Sequence, residues 1–461
     1  MGDASAPAET LSTLGARSSR SGGGRRFAVC LALIALVGFT FRLAYVVENR
    51  HDPVRMDGTY YHELALVLAD GKGFINPFEF RDDGRVDPQA IHPPLWPVAL
   101  AVPSLFGFRS LREQQAFATV IGAATIVLVG LAGRRVAGAR VGLVAAGIAA
   151  VYPNFWRFER ELMSETLVLF GVAVVVLLSY HFWARPSLVR AIAVAIVCGL
   201  LALTHGELVL LVVALLAPLV LFAPAIPARR RAVWFACAAT AMAAVIAPWA
   251  IYNVARFEEP VLLTHSLGFN LMISNCDFTY SGPRLGYQAP QCRQLREADL
   301  RAFLRSRGGG DASVREVKLR RQGLEYVREH VTRVPVVVLA REGRTWGVFR
   351  PAQQVKLEPN RGTARWVIWA GFVAYWALIP AAAAGAVVLR RRKVPLFPLL
   401  AFVAIAVIAV AITWGYTRFR APAEVSLVLL AAVALDAILS HLQAVYAHRH
   451  RVSTDPTKSS A

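Results

Sequence analysis

The amino-acid sequence predicts an all-α polytopic membrane protein, and three observations carry that prediction. Of the 461 residues, 56% are hydrophobic and only 17% are charged, whereas a soluble chain typically has about 25% charged residues. The apolar residues form long runs. The basic residues, which give a net charge of +20, fall in short clusters between those runs, as in loops on one membrane face. This distribution argues against nucleic acid as a partner, because the basic residues form no single stripe.

Ten apolar runs are candidates for crossing a bilayer, whose core needs about 20 apolar residues per helix and fewer where a helix ends in a polar cavity. They are 27–47, 112–133, 140–156, 164–183, 190–205, 207–223, 232–252, 365–389, 394–414 and 421–442. An eleventh run, 93–108, is short and opens with Pro93-Pro94.

The basic clusters orient these runs, because Lys and Arg concentrate in cytoplasmic loops. The clusters are Arg17–Arg26, Arg134–Arg140, Arg185–Arg190, Arg229–Arg231, Arg390–Lys393 and His448–Arg451. They share one side only if the run 93–108 does not cross. We therefore predict a multi-pass cell-membrane protein with about ten crossings and both termini in the cytoplasm. The run 93–108 becomes an interfacial or re-entrant helix on the outer side.

This topology divides the chain into five parts. They are a disordered cytoplasmic tail (1–26), a membrane core (27–252) whose first outer loop is 48–111, an extracytoplasmic loop region (253–364), C-terminal transmembrane helices (365–445) and a second cytoplasmic tail (446–461).

The extracytoplasmic loop region carries two further signals. Ser313 and Glu316 have the spacing of a capping box and precede apolar residues at helical spacing, which predicts an amphipathic helix. Cys276 and Cys292 also lie in this region. Because disulfides persist on the oxidising side of a membrane, we predict that these two cysteines are bonded to each other.

Two carboxylates are candidates for chemistry at the outer face. Asp57 precedes a stretch, 59–70, in which polar and apolar residues alternate at a helical period. Its side chain either caps that helix, lies solvated in the loop, or has a function. Glu165 comes directly before an apolar run. An acid there complements the helix dipole, but an ionisable residue at the membrane interface is also a functional candidate by default.

Two more polar groups lie at predicted outer turns. His205 and Glu207 flank Gly206 between two short apolar runs, where they are either solvated turn residues or part of a site. Arg418 and Arg420 lie at the outer end of the run 394–414, against the charge rule for orientation. Snorkelling explains these arginines about as well as binding of an anionic lipid phosphate does.

Together these residues resemble a known family, the bacterial glycosyltransferase family 39-type enzymes, which include protein O-mannosyltransferases and the lipid A aminoarabinose transferase and have the GT-C fold. The motifs that carry the resemblance occur in the same order over roughly residues 27–440. They are Asp57 with Tyr61, Gly71-Lys72-Gly73-Phe74, His92-Pro93-Pro94-Leu95, Met163-Ser164-Glu165-Thr166-Leu167, Pro248-Trp249-Ala250-Ile251-Tyr252-Asn253, Leu267-Gly268-Phe269-Asn270 and Arg418-Phe419-Arg420-Ala421-Pro422.

The resemblance implies a GT-C-like bundle with outer-face juxtamembrane helices, a lipid-linked sugar donor, usually polyprenyl phosphate, and inverting transfer at the outer face. It suggests Asp57 as the catalytic acid of the first outer loop, His92 near the donor phosphate and Glu165 as the second acid. Two positions depart from the family. His205 stands where many relatives carry Lys or Arg, and Tyr252 stands where many carry Arg before Asn.

The chemistry of the reaction agrees with these roles. Inverting transfer needs a carboxylate that takes the proton of the acceptor hydroxyl, which we assign to Asp57, and cations that stabilise the departing phosphate. Arg418 and Arg420 are the candidate phosphate ligands, with hydrogen bonds added by His92 or Lys72. The remaining candidate substrate-binding residues are Tyr61, His62, Arg160, His205, Glu207 and Asn253.

The role of Glu165 stays open at this point. It either positions the acceptor, belongs to the proton network of Asp57, or joins Asp57 around a divalent cation such as Mg²⁺ or Mn²⁺. The acceptor is a protein, a glycan or a lipid. A lipid or solute transporter or flippase of the cell envelope is the main alternative function, although it favours ionisable pairs at mid-span, whereas the polar residues here cluster at one face.

Overall fold

The structure is a computed structural model and describes residues 8–223, 226–306, 309–358 and 362–453. Its regular elements within these ranges are helices, with one isolated antiparallel bridge between Ile75 and Pro88. The first half of the chain forms α1 (Ala8–Glu48), α2 (Asp57–Ala69), α3 (Pro77–Asp83), α4 (Leu95–Leu105), α5 (Leu111–Ala137), α6 (Ala139–Val151), α7 (Pro153–Arg160), α8 (Glu165–Ala184), α9 (Leu188–Ala202), α10 (Ala217–Leu221) and α11 (Ala228–Val254).

The second half continues with the loop region 253–364 and then three long helices. The loop region holds α12 (Leu267–Ser274), α13 (Asp277–Tyr280), α14 (Gln291–Ser306), α15 (Ala312–Glu329), α16 (Val334–Thr345) and α17 (Pro351–Leu357). The last helices are α18 (Arg365–Arg391), α19 (Phe397–Ile412) and α20 (Ala421–Ser453). Short 3₁₀ or π segments precede α10, α16 and α20.

The prediction of an all-α multi-pass membrane protein is confirmed. Six helices in the described ranges are long and apolar enough to span a membrane: Gly23–Glu48, Leu111–Ala137, Glu165–Ala184, Ala228–Val254, Arg365–Arg391 and Thr417–Ala447. Shorter apolar helices occupy the other four predicted runs, and α4 lies within the run 93–108. The number and direction of the crossings stay predictions.

The two helices at the ends of the chain reach further than the predicted spans. α1 begins at Ala8, inside the segment 1–26 that we expected to be a disordered tail, and α20 ends at Ser453, inside the segment 446–461. The physical reason is that a helix already nucleated by an apolar span extends at little cost, one hydrogen bond for each residue added. Residues 1–7 and 454–461 lie outside the described residues.

Small residues bring the central helices of the bundle into close contact. A Cβ atom on Gly385 of α18 would lie 1.8 Å from the carbonyl oxygen of Leu430 on α20, and one on Gly142 of α6 would lie 2.4 Å from that of Gly130 on α5. Helices in a membrane gain little from apolar burial against each other, so close backbone packing is a main source of their association.

The loop region is held together by a disulfide and by a capping arrangement that differs from the predicted one. Cys276 and Cys292 form the disulfide that we expected, with their Cα atoms 5.7 Å apart. The predicted capping box at Ser313 is wrong, because Asp311 is the residue that caps α15. Glu316 instead accepts hydrogen bonds from the backbone N–H groups of Gly268 and Phe269 at the start of α12. The first backbone N–H groups of a helix without a side-chain cap lack an acceptor, and the carboxylate of Glu316 supplies one to α12.

The orientation of α4 can be tested by cysteine labelling. Phe106, at the end of α4, is 76% exposed, so a cysteine there is accessible to reagent. In a chain whose Cys30, Cys198 and Cys237 are replaced by Ala, we expect Phe106→Cys to react with a membrane-impermeant maleimide applied outside intact cells. The control, Arg392→Cys in a predicted cytoplasmic cluster, should react only after permeabilisation. If Phe106→Cys reacted only after permeabilisation and Arg392→Cys reacted in intact cells, the predicted topology would be the wrong way round.

Candidate active site

Asp57 is the first residue of α2, and its carboxylate binds an arginine from the other end of the chain. Oδ2 of Asp57 accepts a hydrogen bond from Nη1 of Arg418 over 2.6 Å. The two side chains are 20% and 14% exposed. Met56 occupies the capping position of α2 and no side chain caps that helix end. The interpretation of Asp57 as a helix cap is therefore wrong, because its carboxylate points to Arg418.

Glu165, the first residue of α8, lies on the other side of the same guanidinium group. Its side chain is fully buried, and Nε of Arg418 lies 3.7 Å from its Oε1 atom. Neither carboxylate oxygen of Glu165 has a hydrogen-bond partner within the described ranges. A buried acceptor without a partner costs free energy. The guanidinium of Arg418 therefore joins two acids from separate helices and leaves the second one able to accept hydrogen bonds.

A chain of hydrogen bonds runs beside Glu165. Nε2 of His205 lies 3.1 Å from Oγ of Ser164 and 3.9 Å from Oε1 of Glu165. On the opposite side of the ring, Nδ1 of His205 lies 2.9 Å from Oε1 of Glu207. The hydroxyl of Tyr61 lies 3.3 Å from Oγ of Ser164. A carboxylate on one ring nitrogen and a second carboxylate near the other favour the protonated imidazolium.

His92 borders this cluster as a neutral side chain. Its ring packs against those of Tyr60 and Tyr61, with centroids 5.3 and 4.9 Å away. Burial lowers the pKa of His92 to about 4, although the charge of Asp57 opposes the shift. At neutral pH His92 therefore offers a hydrogen bond to a ligand and no positive charge.

The approach of α2 to the start of α8 sets the separation of the two acids. A Cβ atom on Gly58 would lie 2.2 Å from the carbonyl oxygen of Glu161, so only glycine allows α2 to approach this closely. Trp96 of α4 then donates a hydrogen bond from Nε1 to the carbonyl oxygen of Leu162 over 2.9 Å. Leu162 adopts a φ of 55°, which is uncommon for a branched side chain. Backbone contacts thus position Asp57 relative to Glu165.

Arg420, which we predicted to be a phosphate ligand, has a structural role. It is buried, donates a hydrogen bond of 2.6 Å from Nε to Oε1 of Glu424, and donates one from Nη1 to the carbonyl oxygen of Thr345 over 2.8 Å. Its guanidinium lies 3.6 Å from the ring centroid of Tyr375. Residues 417–420 form a 3₁₀ turn, which directs Arg418 to the acids and Arg420 into the bundle, so a phosphate contact of Arg420 stays a prediction that its present contacts do not favour.

Arg160 likewise holds loops in place. It is buried and donates hydrogen bonds to the carbonyl oxygens of Gly362 over 2.8 Å and Asp52 over 3.1 Å. It also pairs with the carboxylate of Asp52 at 3.4 Å. Its guanidinium is therefore engaged by the chain between α1 and α2, and it is not placed to bind a substrate.

Three other predicted binding residues lie apart from the acids. Nδ1 of His62 bonds to Gln114 at 2.9 Å. Oδ1 of Asn253 accepts two hydrogen bonds from Arg256, and Asn253 is fully buried. The chain turns back after the helix α2, and the backbone N–H of Lys72 donates to the carbonyl oxygen of Val67, which lies roughly 15 Å from Asp57 at 1.5 Å per helical residue.

Sequence reasoning missed Arg256 and Ser164. Arg256 donates hydrogen bonds to the carbonyl oxygens of Phe74 over 2.5 Å and Gln89 over 2.7 Å, and so fastens both sides of the first outer loop. Its guanidinium lies 4.4 Å from the ring centroid of Tyr252, one helical turn earlier. The spacing of four residues could have indicated this role, because position 256 lies one helical turn from position 252, where many relatives carry arginine. Ser164 belongs to one of the family motifs, but a single serine in a sequence does not indicate which residues it contacts.

The arrangement also bears on the predicted divalent cation. Among the residues that the structure describes, no group of three or more His, Cys, Asp and Glu side chains is placed to hold a metal ion. The guanidinium of Arg418 lies between Asp57 and Glu165, and Nε2 of His205 is bonded to Ser164. These residues do not fit a bridging cation in this arrangement, because Arg418 would first have to move away.

Comparison with known proteins agrees with the family resemblance. Residues 91–252 match the family described as dolichyl-phosphate-mannose-protein mannosyltransferase. The resemblance to the GT-C glycosyltransferases is confirmed. The matched segment is about a third of the chain and contains His92, Glu165 and His205. Asp57 and Arg418 lie outside it. No curated protein sequence is significantly similar to the chain.

Solved structures share the fold. The Archaeoglobus fulgidus oligosaccharyltransferase in complex with Zn and sulfate has a TM-score of 0.53 and 15% identity, over 92% of this chain and 51% of that one. The oligosaccharyltransferase AglB from Archaeoglobus fulgidus, in complex with an inhibitory peptide and a dolichol-phosphate, has a TM-score of 0.51 and 14% identity, over 92% and 52%. This chain thus spans about half the length of these structures, and at such identities the likeness is one of fold.

ArnT from Cupriavidus metallidurans, solved bound to undecaprenyl phosphate, has a TM-score of 0.40 and 15% identity, over 88% of this chain and 77% of that one.

The separate roles of the two arginines predict separate effects of mutation. Arg420→Gln should destabilise the fold by about 3–5 kcal/mol, because it leaves Glu424 buried without a cation. Arg418→Gln makes the same chemical change two residues away, but the acid that it hydrogen-bonds, Asp57, is partly exposed. The buried Glu165 keeps the His205 ring at 3.9 Å, so the effect of Arg418→Gln on stability should be smaller. Thermal unfolding of the two purified variants in one detergent compares them directly. Equal losses of thermal stability in the two variants would contradict separate roles for the two arginines.

Proposed function

We propose that the chain is an inverting membrane glycosyltransferase that moves a sugar from a polyprenyl-phosphate donor to an acceptor hydroxyl at the extracytoplasmic face. The observation that carries the proposal is the contact of one guanidinium, Arg418, with two acids, Asp57 and Glu165. This contact brings a candidate base and a candidate phosphate-binding cation together in one cluster. The GT-C fold makes such a reaction the first expectation, by analogy.

In this mechanism Asp57 is the general base. The acceptor hydroxyl oxygen forms a bond to the anomeric carbon while the bond from that carbon to the phosphate oxygen breaks. The hydroxyl proton goes to Asp57, and the electron pair leaves with the phosphate. Attack from the side opposite the phosphate inverts the anomeric centre. Arg418 holds the Asp57 carboxylate in position before the reaction through the 2.6 Å hydrogen bond from Nη1 to Oδ2.

The departing phosphate needs positive charge, and two groups in the cluster can provide it. Arg418 donates a hydrogen bond from Nη1 to Asp57, and its guanidinium is a cation of the kind that binds phosphate oxygens. The His205 ring, held by Glu207 at 2.9 Å, adds a second cation where many relatives carry Lys or Arg. Charge that is fixed in place before the reaction stabilises the transition state without reorganisation. His92 contributes a neutral hydrogen bond.

Glu165 acts as a positioning residue in this proposal. Both of its oxygens are buried and without partners within the described ranges. A hydroxyl of the donor sugar or of the acceptor would satisfy one of them, and the gain would orient that hydroxyl relative to Asp57.

The transporter alternative finds less support in the packing. One charged pair inside the bundle, Arg42 with Glu159, is almost fully buried. Arg42 also donates a hydrogen bond to the carbonyl oxygen of Ala149 over 2.6 Å. Such a pair fastens α1 to α7 and offers no exposed surface to a translocated solute.

Asp57→Asn should abolish transfer and leave membrane insertion and folding unchanged. Loss of one positioned general base costs about 10²- to 10⁴-fold in rate. The assay uses membranes with radiolabelled polyprenyl-phosphate sugars and follows the label into protein, glycan and lipid fractions, which also identifies the acceptor class. Asp82→Asn, at an exposed acid of the same loop, is the control. Near-normal turnover of purified Asp57→Asn would remove Asp57 from this role.

A further inference from the structure

A second charged feature lies in the loop region, separate from the carboxylate cluster. It is an open cleft of about 630 Å³ between the turn after α13 and the helix α17. We call it the basic cleft. Its lining residues are Gly282, Pro283, Arg350, Gln353 and Lys356.

The basic cleft has an excess of positive charge that the described part of the chain does not neutralise. Four cations lie in or behind it: Arg284, Arg344, Arg350 and Lys356. None of them forms an ion pair with a carboxylate of the described residues, although other arginines of the loop region, such as Arg293 and Arg301, do. Side chains of the same sign that crowd together are destabilising unless an anion binds between them.

The arginines are held by backbone carbonyl groups instead of acids. Arg350 donates hydrogen bonds from Nη1 to the carbonyl oxygens of Gly282 over 2.8 Å and Pro283 over 2.5 Å. Arg344 donates to the carbonyl oxygens of Leu285 and Pro283 over 2.6 and 3.0 Å. These contacts fix the guanidinium groups in position without neutralising them.

Arg344 lies behind the lining of the cleft and donates hydrogen bonds to two lining residues, Pro283 and Gln353. Its side chain is buried, and its Nη1 atom has no hydrogen-bond partner within the described residues. Burial and the neighbouring guanidinium of Arg350 lower the pKa of Arg344 to about 10. An anion in the cleft would offset the repulsion between these two guanidinium groups.

One side of the cleft continues into an apolar surface. Val348, two residues before Arg350, is 76% exposed. The adjacent backbone packs on α18, where Nε1 of Trp376 donates a hydrogen bond to the carbonyl oxygen of Gly347 over 3.2 Å. Trp366 and Trp369 of the same membrane-spanning helix are also exposed. Exposed tryptophans at a helix end are typical of the membrane interface.

A ligand that fits both surfaces carries an anionic head and an apolar tail. We propose that the basic cleft binds the phosphate headgroup of an anionic phospholipid, with Arg350 and Lys356 contacting the phosphate and the acyl chains lying along Val348 and α18. The site does not depend on the proposed transferase activity, since it shares no residue with the carboxylate cluster.

The position of the cleft gives the lipid a route to influence that cluster. Thr345 follows Arg344 directly, and its hydroxyl oxygen accepts a hydrogen bond from the backbone N–H of Tyr416 over 3.1 Å. Its carbonyl oxygen accepts the bond from Arg420. A phosphate bound by Arg350 and Lys356 would therefore act on the turn that carries Arg418 through the segment 344–350.

The test measures lipid binding to the purified full-length chain in neutral detergent by native mass spectrometry. The probes are phosphatidylglycerol, phosphatidylcholine and inorganic phosphate. We expect the wild type to retain phosphatidylglycerol in preference to phosphatidylcholine. The double variant Arg350→Gln/Lys356→Gln should bind phosphatidylglycerol at least tenfold more weakly, since charge-assisted phosphate contacts contribute about that factor or more. Inorganic phosphate at millimolar concentration should compete only partly, because it lacks the apolar tail.

The matched control is Arg293→Gln/Arg301→Gln, which removes two exposed positive charges from α14. It should bind phosphatidylglycerol as the wild type does. Equal loss in both double variants would show nonspecific charge attraction, and unchanged binding in Arg350→Gln/Lys356→Gln would overturn the site. A polyprenyl phosphate arm separates the lipid classes: loss of polyprenyl phosphate binding with phosphatidylglycerol binding retained would assign the cleft to the donor and contradict the proposal.

Discussion

The contact of Arg418 with Asp57 and Glu165 is the interaction on which the rest of the site depends. It connects the start of α2, the start of α8 and the turn before α20, three elements that are far apart in sequence. Two carboxylates this close would repel each other in a partly buried setting, and one guanidinium offsets that repulsion. The same cation is the proposed ligand of the donor phosphate, so the assembly of the cluster and the binding of an anion both depend on one side chain.

The surrounding helices position that contact through buried arginines. Arg42, Arg160 and Arg420 are each almost fully buried and bonded to acids or carbonyl oxygens. A buried ion pair adds little net stability over apolar packing, yet it is costly to break. We infer that these pairs specify which loops meet, and that the close approach of Gly58 to α7–α8 then fixes the distance between the two acids.

Much of the fold followed from the sequence, because apolar runs and turn residues act locally. The helix at 59–70, the short helix within 93–108 and the helical character of all ten runs are present. The contacts of the arginines did not follow. Arg418 and Arg420 look alike in sequence, and only the 3₁₀ turn between α19 and α20 separates their directions. Ser164 escaped notice because its partners, His205 and Tyr61, lie 41 and 103 residues away, where no periodic pattern reaches. Arg256 has a local neighbour in Tyr252, but the carbonyl groups that it holds lie 182 and 167 residues away.

The affinity for the donor phosphate tests the central claim most directly. Equilibrium binding of radiolabelled polyprenyl phosphate to purified wild type and Arg418→Gln measures the contribution of this one guanidinium, without requiring the acceptor. A charge-assisted contact to phosphate is worth about 1.5–3 kcal/mol, so the account predicts a dissociation constant roughly ten- to a hundredfold higher in the variant. An unchanged dissociation constant in a correctly folded Arg418→Gln protein would contradict it.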